Sequence, residues 1–138
     1  MKGKTLLPRT SLRGFQPRTF GGEDIPKKEI VRKGLTEKIP DLSDLRAKCM
    51  GKKLWVDVTF FLFNRTTNVK RYEKDLDNML KIVLDALPEF MDQKRLFKGL
   101  GLMPDKGDDL VFELHSEKHF VGTEAEEGID LEIAEWVE

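Results

Sequence analysis

Apolar and polar residues alternate along LWVDVTFFLF, residues 54 to 63, where Leu54, Val56, Val58, Phe60 and Leu62 fall on one face. That period of two predicts a strand packed on a core. Its other face, Trp55, Asp57, Thr59, Phe61 and Phe63, is too apolar at the far end for open solvent, which leaves room there for a partner subunit. The period then changes. From about Asp75 to Phe90, the residues Leu76, Met79, Leu80, Val83, Leu84 and Leu87 recur at helical spacing and predict the strongest helix of the chain. Alternation returns in DLVFELHSEK, residues 109 to 118, with Leu110, Phe112 and Leu114 expected inward, and again at Ile129, Leu131 and Ile133. Weaker signals predict a short helix over residues 41 to 51, capped by Asp41 or Ser43 and stopped by Gly51. A second short helix followed by a loop is expected after Pro88, where Gly99, Gly101, Pro104 and Gly107 punctuate the chain.

The first forty residues hold four of the six prolines and five of the eleven glycines and show little periodicity. They predict a basic, irregular N-terminal arm or lobe, residues 1 to 40, with one short strand at Thr5 to Leu7. Residues 41 to 138 form the main domain in this reading. Strand, helix, strand, strand, with a helix in front, favours one sheet covered by helices on one face, a two-layer α+β fold.

Charge sharpens the picture. The whole chain is nearly neutral, at −1, yet residues 1 to 74 carry 18 basic and 8 acidic side chains and residues 75 to 138 carry 6 basic and 17 acidic ones. The sign reverses at Asp75, which suggests an anionic partner for one part and cations for the other, or mutual attraction of the two parts on folding. No apolar run approaches the roughly 20 residues that span a bilayer, and the start, MKGKTLLPRT, has no signal-peptide core, so a cytoplasmic protein is expected. The single cysteine, Cys49, has no partner for an internal disulfide and reads as a small packing residue.

The chemistry concentrates in KRYEKDLDNMLKIVLDAL, residues 70 to 87. With Asp75 taken as zero, Asp77, Lys81, Asp85 and Asn78 project at about 200°, 240°, 280° and 300° on a helix and share one narrow stripe. Asp75 and Asp77 at a loop-to-helix junction can turn their carboxylates toward one point. Mg²⁺ is held by one or two carboxylates plus substrate phosphate, so this pair suits it, and Asp108 or Asp109 could complete the cluster. Lys81, one turn beyond Asp77, would reach a scissile phosphate or the attacking water. Arg65, Lys70, Arg71 and Lys74 in the preceding loop would bind flanking backbone phosphates, with Tyr72 able to stack on a base. A plainer reading stands beside this one. First-turn aspartates also serve as caps and dipole partners, and Asp77, Lys81 and Asp85 are spaced for ordinary ion pairs along a helix.

Other groups carry less. His115 and His119 would lie about 13 Å apart on a strand, too far to share a metal. Trp55 and Trp136 read as packing residues, and Phe15 and Phe20 either anchor the basic arm or stack on nucleic acid. No glycine-rich phosphate loop, Ser-His-Asp order or CxxC pair is present.

KDLDNMLKIVLDAL followed by DDLVFELHSEK resembles the RusA-type Holliday junction resolvases over about residues 52 to 134. The resemblance implies a homodimeric, Mg²⁺-dependent endodeoxyribonuclease, with Mn²⁺ as a substitute, within a small mixed β-sheet carrying helices. It would nick paired strands of a four-way DNA junction in recombination and repair. By position, Asp75 and Asp77 match the motif acids, Lys81 the essential lysine and Asp108 the third acid, with Asp109 beside it. Two departures stand out: extra residues at about 88 to 107, which leave Asp105 as another candidate third acid, and a front end without a clear first strand. A nuclease for other branched DNA would share the site. A nucleic-acid-binding protein without catalysis would use the same basic surface.

Overall fold

The computed structural model describes residues 1–17, 24–63, 76–104 and 107–138, with the side chains of Asp24 and Asp108 outside that description. Four strands, β1 (Lys2–Arg13), β2 (Leu54–Phe63), β3 (Val111–Val121) and β4 (Gly128–Trp136), form one mixed sheet in the order β1-β4-β2-β3. β4 runs antiparallel to both β1 and β2, whereas β3 runs parallel to β2. Among the described residues three helices, α1 (Asp24–Lys38), α2 (Leu42–Cys49) and α3 (Leu76–Ala86), complete a two-layer α+β domain.

The core lies between the helices and one sheet face. Leu54, Val56, Val58, Phe60 and Leu62 of β2 are fully buried there with Ile129, Leu131 and Ile133 of β4, as their alternation predicts. Val31 and Leu35 of α1, Leu45 and Cys49 of α2, and Met79, Ile82 and Val83 of α3 close over them. Burial pushes the Cys49 thiol up to about 11, so it stays protonated and acts as a packing group. At α2 the Asp41 carboxylate accepts from the Asp44 amide, and Gly51 takes the left-handed conformation just past the end, at φ 71°.

The opposite sheet face is covered by the chain's own side chains where the sequence leaves room for a partner subunit. The Lys2 ammonium lies over the Trp55 ring, and the Arg13 guanidinium over Phe61 at 4.0 Å. His115 packs on Trp55 and His119 stacks on Phe61. The buried Asp130 accepts from Arg9 Nε and Ser11 Oγ, each at 2.7 Å, and pairs with Arg13 at 2.8 Å. Burial alone would raise its carboxyl, but those donors outweigh it and hold the group below the ordinary aspartate range.

Residues 1 to 40 differ from the irregular basic arm expected of them. β1 is a full sheet strand and α1 a helix, because their partners are distant: β4 pairs with β1, and α3 packs on α1. Pro26 sits in the first turn of α1, where its missing N–H costs little. Gly34 lets the helix approach β1, since a Cβ there would overlap the Leu12 side chain.

Two further expectations are corrected. α3 ends at Ala86 instead of Phe90, since the residue before Pro88 is biased away from helical geometry. No helix forms between Pro88 and Pro104. That segment folds back on itself through Glu89 N–H to Met103 O, Met91 N–H to Phe97 O and Gly99 N–H to Glu89 O. The Asp92 carboxylate accepts from the Leu96 and Phe97 amides, a local competitor to helix bonds. Leu100 and Leu102 donate to the carbonyls of Ala86 and Leu87 and bury their side chains, so the loop is stitched to the C-terminal end of α3.

Candidate functional site

α3 buries Met79, Ile82, Val83 and Ala86, which leaves Asp77 and Lys81 exposed one turn apart on the outer side. Asp77 occupies the first turn, where the helix dipole favours a carboxylate. A ladder of ion pairs along this face is absent. Asp44 and Lys48 of α2 do pair at that spacing, at 2.9 Å, but neither Asp77 with Lys81 nor Lys81 with Asp85 is among the ion pairs of the described residues. Asp85 instead meets Lys28 of α1 at 2.9 Å, and the Lys28 side chain is only 8% exposed. That pair fastens α1 to α3.

Lys28, Lys81 and Asp85 also line a cleft of about 740 Å³ between α1, α3 and the 88–104 loop, which contributes Phe90, Asp92 and Arg95. Three cations and two acids therefore face one solvent-filled space. Arg95 takes a left-handed backbone, at φ 58°, with its guanidinium 5.9 Å from the Phe90 ring centroid. The insertion thus forms a wall beside Lys81. Lys28 and Arg95 belong to this cleft without any signal in the local pattern, because only tertiary folding brings α1 and the loop to α3.

Of the site residues expected from the sequence, Asp75, Arg65, Lys70, Arg71, Lys74 and also Asp105 lie outside the described residues. Asp108 belongs to a single 3-10 turn, Gly107–Leu110, directly before β3, and its neighbour Asp109 is exposed. Leu110 shares a second cavity, of about 670 Å³, with Met50, Gly51 and the loop around Gly99 to Pro104, which is bonded to the C-terminal end of α3. Asp77 is in the first turn of α3. Asp77 and Lys81 are brought together one turn apart on α3. Among the described residues no three His, Cys, Asp or Glu side chains converge on a metal position. The donor that is described, an exposed carboxylate, is a hard oxygen of the kind Mg²⁺ takes, and such a site needs only one or two of them beside phosphate.

Both histidines stand on β3 beside glutamates, His115 with Glu113 at 2.6 Å and His119 with Glu117 at 3.4 Å. The His115 hydrogen bond, helped by the Met1 amino group, lowers the Glu113 carboxyl to about 2. No described helix is long and apolar enough to cross a membrane. Comparison with protein-family models, with curated proteins and with solved structures found no match to this chain.

Proposed function

We propose that this protein is a Mg²⁺-dependent, structure-selective endodeoxyribonuclease of RusA type. It resolves four-way DNA junctions by paired nicks in recombination and repair, as a cytoplasmic homodimer. The observation that carries this reading is the placement of Asp77 and Lys81, exposed one turn apart and without an ion pair to any described residue, beside a cleft lined by further cations. Of the plainer reading, the dipole placement of Asp77 is present, whereas among the described residues neither Asp77 with Lys81 nor Lys81 with Asp85 forms an ion pair.

In this mechanism Asp77 would hold the metal with Asp75 and Asp108, and Asp109 would stand beside the third position. When bound, Mg²⁺ polarises the scissile phosphate and makes an attacking water more acidic. Lys81 offsets charge that develops on the phosphate and steadies the carboxylates on its flank. Arg65, Lys70, Arg71 and Lys74 grip the flanking backbone, a sequence-independent hold that weakens as salt rises. The place of Asp77 in the first turn, where the helix dipole favours a carboxylate, favours a second reading, in which the basic surface binds nucleic acid and the acids only organise the helix end.

A labelled four-way junction, linear duplex and flap, each with and without Mg²⁺, separate these readings. Paired nicks on the junction alone, lost in Asp77→Asn, are expected. Nicking of the flap by the same residues would move the substrate to other branched DNA. Salt-sensitive binding without cutting in Mg²⁺ or Mn²⁺ would leave the binding module.

A further inference from the structure

Residues 89 to 99 form a hairpin arm at the C-terminal end of α3. Phe90 and Lys98 face each other as an antiparallel bridge, framed by Met91 N–H to Phe97 O at 2.8 Å and Gly99 N–H to Glu89 O at 2.9 Å. The turn between them is held in one shape. Arg95 takes the left-handed backbone and donates its N–H to Asp92 O, while the Asp92 carboxylate accepts from the Leu96 and Phe97 amides at 3.0 and 2.9 Å.

What this pinned turn displays is apolar. Leu96 is 70% exposed and Phe97 39%. A lone exposed leucine needs no explanation, but a leucine and a phenylalanine side by side on a fixed turn make a patch. Cations frame it: Lys94, Arg95 and Lys98 stand within five residues, and no acid occurs from Gln93 to Pro104. Neither Lys94 nor Lys98 forms an ion pair with a described residue.

The place of the arm narrows the ligand. Through Phe90, Asp92 and Arg95 it lines the cleft of about 740 Å³ that Lys28 and Lys81 line from the helices. Arg95 belongs to both cleft and turn, so an anionic chain held at Lys81 and Arg95 comes within reach of Leu96 and Phe97. A flat lipid surface meets such a turn but does not enter the cleft. A nucleic-acid strand does both, with phosphates on the cations and a base face against the phenylalanine ring. Linear duplex keeps its base faces stacked, whereas an unpaired base gives its face up at little cost.

We infer that the 89–99 arm is a nucleic-acid contact that tells branched DNA from linear duplex. Phe97, with Leu96 beside it, stacks on a base left unpaired at a branch point, and Lys94, Arg95 and Lys98 hold the flanking phosphates. The inference rests on the proposed DNA substrate and on no step of the cleavage, and it assigns selectivity to residues outside positions 75 to 81.

Fluorescence anisotropy in EDTA, where no Mg²⁺-dependent cutting occurs, compares a fork with unpaired arms, a four-way junction and a linear duplex. The wild-type chain should prefer the branched DNAs by about tenfold, within the range of one base–aromatic stack. Leu96→Ser/Phe97→Ser should remove that preference and leave duplex binding unchanged, whereas Phe97→Trp should keep it. Lys94→Gln/Lys98→Gln should instead weaken binding to every DNA and lower the slope of log K against log salt by about two. All four side chains are exposed, and circular dichroism with thermal melts checks that each variant is folded. A serine variant that keeps the preference overturns the inference. So does a wild-type chain that binds branched and linear DNA alike, or one without that preference that binds phosphatidylserine vesicles through the same two residues. Asp77→Asn should retain the whole preference. Failure of the nuclease reading would leave the preference without nicking, and failure of the arm would leave nicking with a preference indifferent to the serines.

Discussion

Two aspartates on the same face of α3 meet opposite fates. Asp85, near the C-terminal end, is tied to the buried ammonium of Lys28, whereas Asp77, in the first turn, stands exposed without an ion pair to any described residue. The same side chain serves as a fastener where a second helix supplies a buried cation, and stays available for a ligand where none is supplied. Asp130 extends the contrast, since Arg9, Ser11 and Arg13 all converge on it inside the sheet surface.

The sharpest break in this comparison should come from Asp77→Asn. Junction nicking is expected to fall about a thousandfold, the upper range for losing one electrostatic partner of a developing charge. Thermal stability should move by no more than about 0.5 kcal/mol. Loss of both together would make Asp77 another fastener. Next in size, Asp130→Ala should cost about 3 kcal/mol in urea unfolding, because two guanidinium groups lose their shared partner. Asp85→Ala should cost about 2 kcal/mol, less than a fully buried pair because its carboxylate is partly exposed. Adding Lys28→Met should recover most of that loss by removing the stranded charge, and a double-mutant cycle measures the recovery.

The smallest expected effect is on pH dependence. The folded Asp130 carboxyl lies below its ordinary range, so its contribution is in place above about pH 4 and fades as pH falls through the folded value. Acid unfolding followed by circular dichroism should show a shallower decline in Asp130→Asn than in wild type.

Elements with a strong apolar period were legible in the sequence: α2, β2 and β4 fall where periodicity places them, and α3 does too except that it stops at Ala86, before Pro88. β1 and α1 were not, because Arg9, Arg13 and Lys28 look like a solvated basic arm until Asp130 and Asp85 arrive from far along the chain. Leu114 followed the alternation but stays exposed, since a period of two marks faces and not which face is covered, whereas a register shift between Val111 and Glu113 breaks the alternation at Phe112, which packs on Trp136. In the site, the adjacency of Asp77 and Lys81 follows from helix geometry alone. The cleft with Lys28 and Arg95 had no local signature, and an acid at the start of β3 was expected only from a resemblance.

The strand order also bears on synthesis. β4 lies between β1 and β2, so β1 has no described sheet neighbour until β4 has been made. Until then its described contacts are with helices, such as that of Leu12 with α1 at Gly34. Completing the sheet is therefore a late, long-range event, the kind that slows folding and exposes a growing chain to chaperones. A message cut short before β4 would yield a product with no central core to close.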